Sequence, residues 1–327
     1  MKCINKKLTS AICVALSCML LTGCSFTSLD REYDALSTSS DYKLGASIVL
    51  SSVKPFSSDA AVISSENIYN TTVDDSLSEA GLIVCLDDNS VNYAVNVYEQ
   101  LYPASTTKIL TAYLVLENCD NLDDTITISQ SAVNLEYGSS TCGFKEGDVV
   151  TVRDALYGLI LKSGNEAANA LAEYVSGSVD NFAILMNETA NSCGATLSHF
   201  ANANGLTDEA HYTSAYDLYM IFKKAIKNDD FYNLITSSEY TATYHDKNGT
   251  AVSQSWTTTN GYLSGSYSVP DGVTVLGGKT GTTSAAGACL VLLSESDSGK
   301  RYISVVLNAA NHSNLYKVMS QILSTES

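Results

Sequence analysis

Short apolar runs with the length of buried strands lie near both ends of the chain, and segments with helical spacing lie between them. The strand-like runs are residues 81–86, 93–98, 273–276, 288–293 and 302–307. The predicted helices are residues 103–117, a segment that starts at 151, and residues 166–175, 179–192, 215–227 and 314–323. Because strands from the two ends can pair in one antiparallel sheet with helices packed beside it, this pattern predicts an α+β fold.

The first 24 residues have the pattern of an export signal. Three lysines among the first seven residues precede an apolar run at 8–21, which is shorter than a comfortable membrane span. The run ends in Leu-Thr-Gly-Cys at Cys24, which resembles the lipobox of bacterial lipoproteins, where the cysteine is acylated on its sulfur and the chain is cleaved just before it. The resemblance implies a signal peptide over 1–24 and an extracytoplasmic lipoprotein on the outer face of the bacterial cell membrane. An ordinary signal peptide or a short anchor helix is the alternative.

The charge and composition of the chain restrict its partners. The formal net charge is −17, which argues against a nucleic-acid partner, because nucleic acids bind basic faces. It also argues against binding to anionic lipid by charge alone. Residues 25–78 are rich in Ser, Thr and Asp, which predicts a tether. We therefore expect the folded domain at 79–327.

The cysteines and histidines do not have the spacing of a metal site. Five of the nine cysteines follow residue 24, and no C-x-x-C pair occurs. Cys85 and Cys289 lie in apolar runs, which favours small buried side chains; one disulfide among the other three remains open. The histidines are 199, 211, 245 and 312, and we interpret them as structural or surface residues. We therefore predict no metal site.

The first candidate motif is Ser105-Thr106-Thr107-Lys108. Residues three apart share a helix face, so a lysine amine at the fourth position can reach the serine hydroxyl. Free serine needs an adjacent base, and lysine serves only when burial or another cation lowers its pKa. The motif alone is common, and a solvated helix face would explain it equally well.

The second motif is Ser163-Gly164-Asn165, between two helical segments. A loop here can present a hydroxyl and an amide together, one to relay a proton and one to orient a lysine or a substrate. A turn followed by a helix cap is as plausible for this motif alone.

The third motif is Lys279-Thr280-Gly281, after a predicted strand and two glycines. Glycines at a strand end allow close approach of a ligand, and Lys with Thr can hold a carboxylate. A phosphate-binding P-loop would need glycine where the chain has Val273, and the next segment is strand-like. We therefore reject the P-loop.

The order S-x-x-K, S-x-N, K-T-G resembles the signature of penicillin-binding proteins and class A β-lactamases. Over residue 80 to the C-terminus the chain is similar to the low-molecular-weight D,D-carboxypeptidase family. The stretches that carry the similarity are Y-P-A-S-T-T-K from Tyr102, L-K-S-G-N-E-A-A-N-A-L-A from Leu161, G-G-K-T-G-T-T from Gly277, Asn204-Gly205-Leu206, His211-Tyr212-Thr213 and Ala286–Leu290. The resemblance implies a β-lactamase/transpeptidase-like fold, an antiparallel sheet flanked by helices with a helical subdomain.

The resemblance also implies an activity. The chain would be a serine-type D-Ala-D-Ala carboxypeptidase that removes the terminal D-alanine of peptidoglycan stem peptides, with β-lactams as inhibitors. Ser105 would attack the penultimate carbonyl and Lys108 would accept its proton. Ser163 would relay protons to the leaving group, and Asn165 would orient Lys108 and a substrate amide.

By the same resemblance, the third motif binds the substrate. Lys279 and Thr280 would hold the terminal carboxylate, with Gly281 beside them, and charged Lys279 would help to keep Lys108 neutral. The oxyanion hole would consist of the backbone N–H groups of Ser105 and Thr282. The resemblance implies no metal and no organic cofactor.

The sequence bears on four alternative functions. A class A β-lactamase needs an E-x-x-x-N loop, which is missing between the second and third motifs, and Glu166 is better interpreted as a helix-start acid. A D,D-endopeptidase uses the same three motifs and stays open. A non-catalytic penicillin or muropeptide sensor would tolerate loss of Lys108 or Ser163, and both are present. A structural wall-tether protein would need none of the motifs.

Overall fold

The computed structural model describes residues 60–326. The predicted signal peptide, Cys24 and most of the predicted tether lie outside these residues. The strands are β1 (Ser78–Cys85), β2 (Val91–Val95), β3 (Thr125–Thr127), β4 (Val149–Thr151), β5 (Glu239–His245), β6 (Ala251–Thr257), β7 (Val273–Thr283), β8 (Gly287–Ser296) and β9 (Arg301–Ala309). The α-helices are α1 (Lys108–Glu117), α2 (Gln130–Val133), α3 (Val152–Leu161), α4 (Asn165–Ser176), α5 (Val179–Ser192), α6 (Ala215–Ala225), α7 (Asp229–Thr236) and α8 (His312–Leu323). Two 3₁₀ turns span Asp75–Leu77 and Ala104–Thr107.

Strands from both ends of the domain form one five-stranded antiparallel sheet. Its order is β2-β1-β9-β8-β7, so the early hairpin pairs with the last strand. Leu82 of β1, for example, lies opposite Val305 of β9. The α+β fold predicted from the hydrophobic pattern is confirmed.

The sheet has an apolar core on each face. Along β1, Leu82 and Val84 pack with the helical block, whereas Ile83 and Cys85 pack with α8 on the opposite face. Alternate residues of a strand point to opposite faces, so a strand covered on both sides is a continuous apolar run. This is why the runs at both ends of the sequence were recognisable.

A second, four-stranded sheet was not predicted. Its order is β3-β4-β5-β6, and β5 and β6 form a hairpin. Most of the side chains of this hairpin are polar and half-buried or exposed, and its buried residues are Ala242, Tyr244 and Trp256. Such a hairpin has little apolar signal. Helix α7, capped by the side chain of Asn228, was also missed.

The packed part of the chain begins before residue 79, the predicted start of the domain. Ala61 and Ile63 are buried in the larger core, and Ile68 pairs with Ala94 of β2. Residues 60–77, which were assigned to the tether, therefore pack on the domain. Between residues 60 and 326, no helix combines the length and apolar character needed to cross a bilayer.

Candidate active site

Ser105 lies on the 3₁₀ turn that precedes α1, and not within one continuous helix from Pro103 as predicted. The residue before it, Ala104, has a φ of 47°, in the left-handed region that non-glycine residues rarely adopt. Strained backbone of this kind persists only where the surroundings hold it. The turn presents a half-buried Ser105 at the mouth of a cleft.

Lys108 is fully buried, and its amine lies against the serine. Its Nζ is 2.9 Å from Oγ of Ser105 and donates to Oδ1 of Asn165 at 2.7 Å and to the carbonyl oxygen of Asn204. Burial lowers the pKa of Lys108 well below its usual value, and the charge of Lys279 lowers it further. A neutral amine has two protons, which these two acceptors take. Its lone pair is then left for the Ser105 hydroxyl.

Ser163 and Lys279 connect the second motif to the third. Ser163 lies in the loop before α4 with a φ of 57°, and its Oγ accepts a hydrogen bond from Nζ of Lys279 at 3.1 Å. Lys279 also donates to the carbonyl of Thr280 at 2.9 Å. Burial lowers the pKa of Lys279 to about 7. Burial therefore makes the charge on Lys279 less secure than expected from the sequence, and a carboxylate bound beside it would raise this pKa.

The K-T-G motif lies inside β7, which runs past Leu276, the predicted end of the strand. The ladder shifts by one residue between Val275 and Gly277, and this bulge interrupts the apolar pattern that the prediction used. Because β7 is the edge strand of its sheet, its free side can face a ligand. At Gly281 a side-chain Cβ would lie 2.8 Å from the backbone nitrogen of Ser105, so only glycine lets β7 approach the turn this closely.

A cleft of about 430 Å³ joins these elements. Ser105, Ser163, Thr280, Gly281 and Thr282 line it, while Lys108, Asn165 and Lys279 are buried and hydrogen-bonded at its base. The structure thus brings together all eight site residues that were predicted within the domain.

The cleft also contains residues that sequence reasoning missed. They include Ser140, Thr259, Tyr267, His312 and Tyr316. Nε2 of His312 is 2.9 Å from Oγ1 of Thr282, and the rings of Tyr267 and Tyr316 stack at 3.8 Å. His312 is exposed, in agreement with its interpretation as a structural or surface residue, and it lines the cleft. No motif marks these positions, because they come from loops and from the start of α8, which are distant from one another in sequence.

Glu166 lies in the first turn of α4, as predicted, but it is buried and its carboxylate accepts from a segment outside the helix. Its Oε1 accepts the backbone N–H groups of Cys142, Gly143 and Phe144 at 2.8, 2.8 and 3.2 Å. The carboxylate therefore ties the segment beside the cleft to the helix that begins with Asn165.

Across the described domain, no group of three or more His, Cys, Asp or Glu side chains is placed to hold a metal ion. The five cysteines between residues 60 and 326 are free thiols.

Comparison with known proteins gives a consistent result. The family model for D-alanyl-D-alanine carboxypeptidase matches residues 68–311. D-alanyl-D-alanine carboxypeptidase DacF of Bacillus subtilis (strain 168) is 34% identical over 238 residues, which cover 71% of this chain and 58% of that protein. D-alanyl-D-alanine carboxypeptidase of Streptomyces sp. (strain K15) is 37% identical over 230 residues, which cover 66% of this chain and 77% of that protein.

Among solved structures, the Streptomyces K15 DD-transpeptidase superposes with a TM-score of 0.71 at 31% identity, covering 76% of this chain and 96% of that one. The match to DacF spans 58% of that relative, which is little more than half its length.

Proposed function

The chain belongs to the D-alanyl-D-alanine carboxypeptidase family, and from this premise we propose that it removes the terminal D-alanine of peptidoglycan stem peptides through an acyl-enzyme on Ser105. The observation that carries the proposal is the hydrogen bonding of Lys108. Its amine is buried, donates to Asn165 and Asn204, and meets Ser105 at 2.9 Å. A neutral lysine in this arrangement is a general base for the serine.

Acylation starts when Oγ of Ser105 attacks the carbonyl carbon of the penultimate D-alanine and passes its proton to Nζ of Lys108. The negative charge that develops on the carbonyl oxygen is stabilised by the backbone N–H groups of Ser105 and Thr282. The close packing of Gly281 against the Ser105 nitrogen supports this pairing, since it sets β7 beside the turn.

The leaving D-alanine needs a proton on its amine. Ser163 relays this proton, because its hydroxyl lines the cleft and accepts from Lys279 on its buried side. Its hydroxyl gives a proton to the amine and takes up in return the proton that Lys108 received from Ser105. The terminal carboxylate of the substrate is held by Thr280 and the charge of Lys279. Thr282 and His312 line the same wall of the cleft. Water then hydrolyses the acyl-enzyme.

A β-lactam resembles the acyl-D-Ala-D-Ala end and acylates the same serine. We expect intact-mass measurement to detect one penicillin adduct on the wild type and none on Ser105→Ala. The release of D-alanine from a peptide ending in D-Ala-D-Ala tests turnover directly. An adduct that survives in Ser105→Ala would show that the wrong nucleophile was named.

The same acyl-enzyme can pass its acyl group to an amine instead of water, and one similar solved structure is that of a DD-transpeptidase. D,D-endopeptidase activity on cross-links uses the same three motifs. Incubation with a D-Ala-D-Ala peptide plus an amino-acid acceptor, and separately with a cross-linked dimer, distinguishes these activities. Products with a new peptide bond indicate transfer, and cleavage of the dimer indicates endopeptidase activity.

The location is part of the proposal. The basic start, the apolar run and the Leu-Thr-Gly-Cys sequence at Cys24 support a lipoprotein on the outer face of the cell membrane. We expect Cys24→Ala to move the protein out of the tightly membrane-bound fraction. A Cys24→Ala protein that remains as tightly bound as the wild type would instead indicate an uncleaved anchor.

A further inference from the structure

The strained turn that carries Ser105 is held from two sides. The carbonyl oxygen of Ala104, the residue with a φ of 47°, accepts a hydrogen bond from Oγ1 of Thr107 at 2.8 Å. On the other side is Gly205, where a Cβ would lie 2.0 Å from the same oxygen. A left-handed conformation costs a non-glycine residue about 1–2 kcal/mol. These contacts offset that cost and fix the direction in which Ser105 points.

Thr107 has a second partner, the imidazole of His211. Nε2 of His211 is 2.8 Å from Oγ1 of Thr107, and Nδ1 of His211 accepts the backbone N–H of Ala201 at 3.0 Å. Since Nδ1 accepts, the ring proton of neutral His211 must be on Nε2, which then donates to Thr107. The Thr107 proton is thereby left for the Ala104 carbonyl. The hydrogen bonds therefore run in one direction, from His211 to the turn.

The same ring closes a loop that contacts the base. Ala201 and His211 are the two ends of the 201–211 loop, and the ring joins them. Within the loop, the carbonyl of Asn204 accepts a hydrogen bond from Lys108, and Gly205 packs on Ala104. One buried imidazole thus contacts both the turn with the nucleophile and the loop with an acceptor for the base.

We propose that His211, as the neutral Nε2–H tautomer, is a positioning residue for acylation. Through Thr107 it fixes the turn that carries Ser105, and through Ala201 it fixes the Asn204 carbonyl that orients Lys108. The inference rests on the function proposed above. We call the hydrogen bonds from Ala201 to His211, from His211 to Thr107 and from Thr107 to Ala104 the relay. Loss of the relay would misplace Ser105 relative to Lys108, and a displacement of about 1 Å can lower a rate about 100-fold.

The surroundings keep this imidazole neutral. His211 is 1% exposed, and the ring of Phe200 packs edge-on against it. Burial lowers the pKa of His211 to about 4, with Asp208 opposing the shift and His199 and Lys108 adding to it. A protonated ring could not accept the Ala201 N–H, so neutrality is a condition of the relay.

The test measures the second-order rate of acylation by a fluorescent penicillin, together with the thermal midpoint of each variant. Thr107→Val keeps the shape of the side chain but removes the hydroxyl, and we expect acylation to fall at least 10-fold. Thr107→Ser restores the hydroxyl and should recover the rate to within about threefold. The matched control is Thr106→Val in the same turn. Its hydroxyl donates to Pro103, which also accepts the Thr106 N–H, so we expect a loss below about threefold.

His211→Asn separates the two contacts of the imidazole. The shorter amide can still accept the Ala201 N–H, but it does not reach Thr107. We expect its acylation rate to match that of Thr107→Val, and the double variant to be no slower than the slower single variant. Equal acylation rates for wild type and Thr107→Val would overturn the proposed role of the relay. A wild type that forms no penicillin adduct would instead contradict the proposed function.

A spectroscopic measurement on the wild type does not depend on whether any variant folds. ¹⁵N-labelled histidine distinguishes the two neutral tautomers and the protonated ring. We expect His211 to be neutral with its proton on Nε2 between pH 5 and pH 8. A proton on Nδ1, or a charged ring in that range, would contradict the inference.

Discussion

Lys108 and Lys279 are buried in one site, but the proposed chemistry asks opposite protonation states of them. Burial lowers the pKa of both, and the charge of Lys279 further lowers that of Lys108. Lys108 therefore loses its proton first, and the remaining positive charge stays on Lys279. Glu166 acts in the other direction, because its negative charge raises the pKa of Lys108.

Lys279→Ala should change both the rate and its pH dependence. Removal of a charged group that holds the carboxylate should lower kcat/KM for a D-Ala-D-Ala peptide by about 100-fold or more. Without the neighbouring cation, Lys108 should keep its proton to higher pH. The acidic limb of the kcat/KM profile should therefore move to higher pH, since this limb reports the pKa of the base in the free enzyme. The measurement is the pH–rate profile of both proteins.

Glu166→Gln should shift the pKa of Lys108 in the opposite direction. An amide oxygen can still accept from the segment at 142–144, but the negative charge that raises this pKa is gone, so the acidic limb should move to lower pH. Lys162→Ala, an exposed lysine beside Ser163, should leave the limb in place. An unmoved limb in Lys279→Ala would contradict the coupling and leave Lys279 as a binding residue only.

Among single residues, the sequence predicted those of the three motifs but not the other residues that line the cleft. Ser105, Lys108 and the other motif residues could be found because motif order identifies residues far apart in the chain. Tyr267, His312 and Tyr316 have no such pattern, and they meet the cleft only because the loop before β7 and the start of α8 fold beside it.

Among the elements, β7 and the turn at Ser105 are in unusually close contact. A Cβ at Gly281 would lie 2.8 Å from the Ser105 nitrogen and 2.9 Å from the Thr106 nitrogen. Both are backbone atoms, so a rotamer change cannot relieve the contact. Gly281→Ala must therefore separate β7 from the turn, and with it the two proposed oxyanion donors.

We expect Gly281→Ala to lower the rate of penicillin acylation by about 100-fold, the usual effect of losing one oxyanion donor. Overpacking should cost about 1–3 kcal/mol of stability. Gly299→Ala, in the turn between β8 and β9, is the matched control. It has a φ of 81° and no atoms within 4 Å of a Cβ, so it should lose stability but not activity. Equal acylation by Gly281→Ala and wild type would show that β7 does not set the oxyanion donors.

Helix Val179–Ser192 matches its predicted bounds, whereas α7 and the β5–β6 hairpin were missed. Helix α7 has only eight residues, but its buried Phe231, Leu234 and Ile235 have helical spacing and Asn228 caps it, so its sequence does carry a signal. The hairpin has little signal, because most of its side chains are polar and only three are buried. The burial that stabilises the hairpin comes from elements distant in sequence, including the contacts of Trp256 with Phe144 and Tyr240. Local sequence carries no trace of such contacts.

Over the whole domain, the sheet separates two apolar cores, and the smaller one holds a buried acid. Glu326 follows α8 and is 8% exposed. Its Oε1 accepts from Oγ of Ser294 on β8, and its Oε2 has no hydrogen-bond partner within residues 60–326. Burial raises the pKa of Glu326 to about 7 from 4.5. The folded domain therefore keeps a proton on this carboxyl that the unfolded chain releases above pH 4.5.

A raised carboxyl pKa makes the native state less stable as pH rises. Glu326 has no effect below pH 4.5, where both states are protonated, and its full destabilising effect appears above pH 7. Glu326→Gln keeps an acceptor for Ser294 and cannot ionise. We expect it to raise the free energy of unfolding at pH 8 by up to about 3 kcal/mol, with the gain vanishing near pH 4.5.

The buried His211 acts in the same pH range with the opposite sign. Its pKa is lowered to about 4 from 6.5, so its stabilising effect is complete above pH 6.5 and is lost as the pH falls toward 4. A stability profile of the wild type alone would mix the two groups. The difference between Glu326→Gln and wild type at each pH cancels every group that the variant leaves unchanged. Denaturant unfolding at pH 8, 6 and 4.5, with exposed Glu239→Gln as the control, measures that difference. A gain that is equal at all three pH values would show that Glu326 is ionised in the folded domain and that its burial does not shift the proton.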